Sequence, residues 1–353
     1  PVWAGQIVSP DGKLGAVEPV AATAAFESRA AVLYDTRGRL WLAWDEGDAG
    51  WGKDYAQDII DAGMGLLMRR QVRLAVYEGG RLRQLPGDLS LSLPPEERQV
   101  FQKPALAIDG AGNPWLFFRY RTNTARSEGE RGFRAIWRLG ALSFQSGAWT
   151  PLVELPGGYG RMDASLAVAT RRDGAVQLVW NSDGRTPAIA VPGDQDLYAA
   201  TIQAGPPAAP VELQPLAAPS IAAADPHPNE AADVARLRRY RATAGGKTYR
   251  LIRGDMHRHT DLSWDGNRDG SLFDAYRYAL DAAAFEYVGV ADHQAGEIEY
   301  HWWMLQKAVG LFTVPGRFAP LYGYERSLSY PNGHRNAMFA ERGVPVFPIP
   351  EAE

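Results

Sequence analysis

Six residues in the C-terminal third of this chain have side chains that hold divalent metals: His257, His259, Asp265, His293, Glu325 and His334. The stretch before the first pair, Thr248 to Met256, alternates apolar and polar residues and reads as a β-strand. Side chains two apart on a strand point the same way. His257 and His259 therefore aim two imidazoles at one point, and they are two of only six histidines in the chain. The chain has no cysteine, so disulfides and thiolate ligands are excluded. Imidazole and carboxylate without thiolate suit Zn, Mn or Fe. Six ligands exceed one tetrahedral site, which makes two or three metal ions the economical reading. A carboxylate bridging metals ~3.5–4 Å apart holds a hydroxide and a phosphoryl oxygen together. That is the chemistry of phosphoester hydrolysis. Asp255 and Asp292 stand beside ligands and are expected in the shell behind them, Asp292 with the alternative of capping a helix. Arg326 and Arg335 are candidates for gripping a substrate phosphate, with surface pairing as the alternative.

The elements that must position these residues follow a βαβ grammar from Lys247 onward. A helix is expected at about Ser271 to Ala284, with Leu272, Ala275, Tyr276, Ala279 and Leu280 on one face. Ser271 and Asp274 form a capping-box start. A strand at Tyr287 to Ala291 ends in Asp292-His293. A helix at about Tyr300 to Leu311 leads to a strand at Ala319 to Tyr324 that ends in Glu325, and a fourth strand is expected from His334 to Ala340. Polar residues thus stand just past three successive strand ends, where α/β barrels and open α/β sheets place their sites. His301, beside Trp302-Trp303, reads as a packed helix residue, and His227 as solvent-facing.

Taken in order, His257-x-His259-Thr-x-x-Ser263-x-Asp265-Gly266, Asp292-His293 and Gly323-x-Glu325 resemble the first motifs of the PHP (polymerase and histidinol phosphatase) superfamily. The run from Tyr324-Glu-Arg to Pro331-Asn-Gly-His-Arg-Asn336 is similar to a bacterial subgroup of unknown function within it. The resemblance covers about Arg250 to Ala340. It implies a distorted (β/α)7 barrel and a trinuclear centre that hydrolyses phosphoesters. His257 and His259 would bind the first metal, Glu325 would bridge to a second, and His334 is the best candidate to complete that second site. Asp265, where some members have a histidine, would join His293 on the third. The superfamily also needs a further histidine and a late Asp-x-His, and neither occurs before Glu353. Residues 246–353 are therefore expected to be the N-terminal half of a barrel, completed by further sequence or by a separate chain, because half a barrel leaves a bare sheet edge.

Residues 1–205 read as all-β and repetitive. Tyr34 to Trp44, Ile108 to Phe118 and Thr170 to Trp180 each place a glycine (Gly38, Gly112, Gly174) six positions before an aromatic residue. The unit is a β-hairpin whose glycine permits positive φ in the turn. The repeat spacings of 74 and 62 residues, counted between those glycines, leave room for a four-stranded blade. The pattern resembles the sialidase-like β-propellers with Asp-x-x-Gly-x-x-Trp turns. Trp41, Trp115 and Trp180 are expected at equivalent or adjacent blade positions, in the blade core. Residues 206–245 are expected to be a Pro- and Ala-rich linker followed by a short basic helix, Glu230 to Arg241.

The expected fold is thus multidomain: an N-terminal propeller-like all-β region and a C-terminal α/β partial barrel. With 37 basic against 41 acidic residues, a net −4, overall charge offers no nucleic-acid signal and no attraction to an anionic membrane. No apolar run approaches the ~18 residues of a membrane span. The compartment stays open, a periplasmic or extracellular location being slightly favoured over the cytoplasm. The leading functional expectation is a metal-dependent hydrolase acting on a small or polymeric phosphoester. The alternatives are an amidohydrolase-like enzyme and a non-catalytic scaffold whose propeller recognises a glycan or a protein. An amidohydrolase would add a strand-borne lysine, and Asp292-His293, 34 residues beyond His259, favours the PHP pattern.

Overall fold

The computed structural model describes residues 4–8, 14–19, 21, 23, 25–47, 70–92, 100–125, 133–160, 166–184, 196–216, 228–263, 270–294 and 299–347. The chain divides into two compact units, Pro1–Ala223 and Ala224–Glu353.

In the first unit β1 (Ala4–Val8) and β2 (Leu14–Pro19) form a two-stranded antiparallel ribbon. A four-stranded meander follows, of β3 (Phe26–Tyr34), β4 (Leu40–Gly47), β5 (Arg70–Glu78) and β6 (Arg81–Gln84). The next sheet holds β7 (Phe101–Ile108), β8 (Pro114–Ala125) and β9 (Phe133–Gln145), with β10 (Ala148–Trp149) and β11 (Val153–Gly160) both pairing with β9. A third consists of β12 (Leu166–Thr170), β13 (Val176–Ser182) and β14 (Asp196–Ile202), and β15 (Gln214–Pro215) pairs with β6. All these pairings are antiparallel.

Side-chain alternation on β8 explains how the sheets pack. Leu116, Phe118 and Tyr120 share a core with Trp41, Val72 and Val76 of the first sheet. Trp115 and Phe117, pointing the other way, share one with Val176, Leu178 and Trp180 of the third. The middle sheet is buried on both faces there, so the first half of β8, Pro114 to Phe118, is a continuous apolar run.

The three glycine turns share one backbone geometry. In each, the residue three before the glycine accepts its N–H, at 3.0, 2.9 and 3.0 Å for Asp35–Gly38, Asp109–Gly112 and Arg171–Gly174. The glycines have φ of 77°, 87° and 85°, which only glycine adopts without strain. The aspartates of the first two turns also accept the indole N–H of Trp41 and Trp115, at 3.0 and 3.3 Å. These two tryptophans are equivalent. Trp180 is not: it stands six residues past its glycine, matching Trp44 and Phe118, because the third turn has Arg171 and Gln177 where the others have aspartate and tryptophan. The expected linker also begins later than residue 206. Asn113 Nδ2 donates to Pro206 O at 2.8 Å, Ala208 N to Ala111 O at 2.9 Å, and β15 extends the first sheet.

The second unit starts with α1 (Glu230–Arg239) and a hairpin of β16 (Arg241–Ala244) and β17 (Lys247–Arg250). The single strand expected over Thr248 to Met256 is therefore two, broken at Leu251–Arg253. Next come β18 (Gly254–Arg258), α2 (Leu272–Arg277, running into a π-helical turn at Tyr278–Ala282), β19 (Tyr287–Val290), α3 (Glu299–Phe312), β20 (Ala319–Ser327) and β21 (His334–Phe339). The capping box at Ser271 and Asp274 is formed. β18, β19 and β20 are parallel, with the helices as crossovers. Trp302, Leu305 and Val309, spaced 3 and 4 apart, press one face of α3 into a core with Leu272, Tyr276, Val288, Val290 and Tyr324. His301 is buried on α3; His227 lies outside the described residues. β21 runs antiparallel to β20, because the residues between Ser327 and His334 are too few for the crossover that a parallel strand needs. Among the described residues the sheet is open, with β18 and β21 as its edges, and no helix is long and apolar enough to cross a membrane.

Candidate metal centre

Strand ends bring the residues together. β18 delivers His257 as its penultimate residue and His259 just beyond its end. β19 continues through Asp292 to His293, which bridges in parallel to Glu325 on β20. Antiparallel pairing sets Asn336 opposite Glu325 and His334 opposite Ser327. Opposed residues share a face, so Glu325, Ser327, His334 and Asn336 all present to one side of the β20–β21 ribbon.

Glu325 is the hub, its side chain 2% exposed. Its Oε2 lies 3.1 Å from His257 Nε2 and 2.9 Å from His259 Nε2, and those two nitrogens are 3.0 Å apart. Its Oε1 lies 2.5 Å from His334 Nδ1 and 3.5 Å from His293 Nδ1. The donors form two groups, His257–His259–Glu325 and His293–Glu325–His334, that share one carboxylate. Edges of a tetrahedral zinc site at ordinary bond lengths are about 3.3 Å. The first triangle need widen by only a few tenths of an ångström to match, so the residues present fit a metal.

Electrostatics agree with an ionised hub. Burial works to raise the Glu325 pKa, but the charge of His293, the hydrogen bond from His259 and the charges of His257 and His259 outweigh it and hold the carboxyl below its ordinary value.

Polar partners orient the donor side chains. His257 Nδ1 lies 2.8 Å from Asn336 Oδ1, while Asn336 Nδ2 donates to Met256 O at 3.0 Å. That second bond fixes which way the amide points, so Asn336 Oδ1 accepts from His257 Nδ1–H and holds the ring with Nε2 toward Glu325. Ser327 Oγ bonds both His293 Nδ1 and Glu325 Oε1. Asp292, fully buried, accepts Thr260 N at 2.7 Å and Thr260 Oγ1 at 2.8 Å, tying the segment after His259 to the end of β19. Asp255 accepts the His257 N–H at 2.9 Å.

Several expectations change in detail. His293 stands with Glu325 and His334, because its bridge to Glu325 sets it beside the hub. Asp265 lies outside the described residues. Arg326 and Arg335 oppose each other on the strand positions between the site residues, so alternation turns them to the other face of the ribbon, away from the donors. Asn336 and Ser327 escaped the sequence reading. Their signal was period two on a strand, Asn336 two after His334 and Ser327 two after Glu325.

No protein-family model matches the chain, and no curated protein matches it. Among solved structures, an endo-arabinase from Bacteroides thetaiotaomicron VPI-5482 is similar over 58% of this chain and 94% of its own, at 12% identity and a TM-score of 0.23. A likeness that weak carries no argument.

Proposed function

We propose that the second unit is a metal-dependent hydrolase of phosphoesters with a PHP-like centre, and that the first unit is a β-propeller-like module of consecutive blades. The observation that carries the first reading is the single carboxylate, Glu325, shared between two imidazole pairs. His257, His259 and Glu325 Oε2 would hold one divalent cation, and His293, His334 and Glu325 Oε1 a second. Bound there, the cations supply Lewis acidity and a nucleophile of hydroxide strength at neutral pH. The chain's own residues keep the donors ready: Asn336 and Ser327 fix imidazole orientation, Asp292 anchors the loop after His259, and the buried floor around Glu325 limits water. In the reaction a water oxygen bonds to phosphorus as the ester P–O bond breaks, and the leaving oxygen takes up a proton. An amidohydrolase reading fits less well. The second unit has two lysines, Lys247 and Lys307, one at the start of the exposed β17 and one on an exposed position of α3.

The reading is tested by replacing His257 and His259 together with alanine. Expected outcomes are loss of bound metal by elemental analysis and loss of hydrolysis of a generic aryl phosphoester. Retained metal in the double variant overturns the assignment. Metal loss with hydrolysis unchanged leaves a structural ion and moves any enzyme elsewhere.

A further inference from the structure

The centre has a closed floor and an open mouth. The side chains of Glu325 and His293 are 2% and 4% exposed, those of His257 and His334 50% and 55%. Among the described residues, the side of the centre open to a substrate is therefore the one that carries His257 and His334. Beside that mouth is the turn joining β20 to β21. It leaves from Ser327 and returns at His334, a directly opposed pair whose two members both belong to the centre.

The turn is pinned. Leu328 is buried, its N–H donates to Gly333 O at 3.3 Å, and Asn332 and Gly333 donate to Ser329 O at 2.9 and 3.4 Å. At its tip Tyr330 is 97% exposed, more than any other large apolar side chain among the described residues. Three residues of chain put it no more than about 11 Å from Ser327, which hydrogen-bonds the hub. A tyrosine ring has few rotors, so a fixed turn presenting it loses little freedom when a flat partner stacks on it.

Resting on the hydrolase reading above, we propose that Tyr330 is a specificity-determining residue that stacks on an aromatic ring in the leaving group. The substrate class is then phosphoesters of aryl or heteroaryl-bearing alcohols. Tyr330 touches the substrate's ring and not the reacting atoms, so its effect falls on binding.

The test is calorimetric titration of the metal-loaded protein with phenylphosphonate and with methylphosphonate, alongside KM and kcat for an aryl phosphate. The unaltered protein should prefer phenylphosphonate by about tenfold, in the range stacking on one ring supplies. Tyr330→Ala should erase that preference and raise KM about tenfold with kcat nearly unchanged, while metal content and methylphosphonate affinity stay constant. Tyr330→Phe should behave as the unaltered protein. If both phosphonates bind and Tyr330→Ala changes neither affinity, the stacking role is overturned and the hydrolase reading stands. If neither phosphonate binds the metal-loaded protein, both are overturned.

Discussion

Glu325 gains its place at the hub from one physical circumstance: a carboxylate has two oxygens, and here each faces a different pair of imidazoles. On the proposed reading metal affinity depends on how the donor side chains are oriented, and Asn336 is where that can be measured. Its Oδ1 holds the His257 ring and its Nδ2 is anchored on Met256 O. Asn336→Ala should weaken metal binding by about 10- to 100-fold without unfolding the protein, the usual effect of deleting a ligand's outer partner. Competition with a chromophoric chelator reads this directly, and an unchanged affinity would remove Asn336 from the centre. Arg335, on the other face of the same strand, serves as the control, and Arg335→Ala should leave metal affinity as it was.

At the scale of the element, the glycine turns are held by side-chain as well as backbone bonds. Asp109 accepts the N–H groups of Ala111, Asn113 and Gly205, the Asn113 amide and the Trp115 indole. Burial acts to raise its pKa, and these bonds, led by Gly205 and Asn113, bring it below the ordinary value. A folded pKa lowered relative to the unfolded chain gives stability that is complete above the unfolded pKa and is lost as pH falls through the folded one. Asp109→Asn should therefore cost about 2 kcal/mol at neutral pH, since an amide NH2 would face donors. The gap to the parent protein should narrow below about pH 4. Urea titrations at neutral and acidic pH check both, and a gap that widened in acid would reverse the assignment. The same turn presses on its neighbour: a Cβ on Gly110 would lie 2.5 Å from the Gly174 Cα, and Gly110 N donates to Gly174 O at 2.8 Å. With backbone on both sides nothing yields cheaply, so Gly110→Ala should destabilise the first unit by more than a surface exchange, about 2 kcal/mol or more.

For the whole molecule, two units with separate cores should answer separately to ligand. Every donor of the centre lies in Ala224–Glu353. A ligand that binds only the folded state stabilises it by about 2.7 kcal/mol at a hundredfold excess over its dissociation constant. Calorimetric scans with and without zinc or manganese should show one transition rising with metal and another standing still. The Asp109→Asn exchange should move only the transition that metal leaves alone. One transition shifted by both treatments would mean that the units fold as one.

The amino-acid sequence by itself determined whatever depends on local periodicity. The turn glycines, the capping box at Ser271, the amphipathic α3 and the strand ends that carry His257, His293 and Glu325 follow from spacing, because backbone geometry sets which way neighbouring side chains point. Tertiary structure alone decided whatever depends on pairing across the chain. That His334 and Asn336 stand on the Glu325 side while Arg335 turns away follows from β21 pairing antiparallel with β20 in one register, and His293 reaches Glu325 through a parallel bridge between segments far apart in the chain. A shift of one residue in that register would exchange the two faces of β21 and put Arg335 on the side where His334 and Asn336 now stand. Register is a choice between long-range pairings, set by the whole packed sheet, and no window of local sequence contains it.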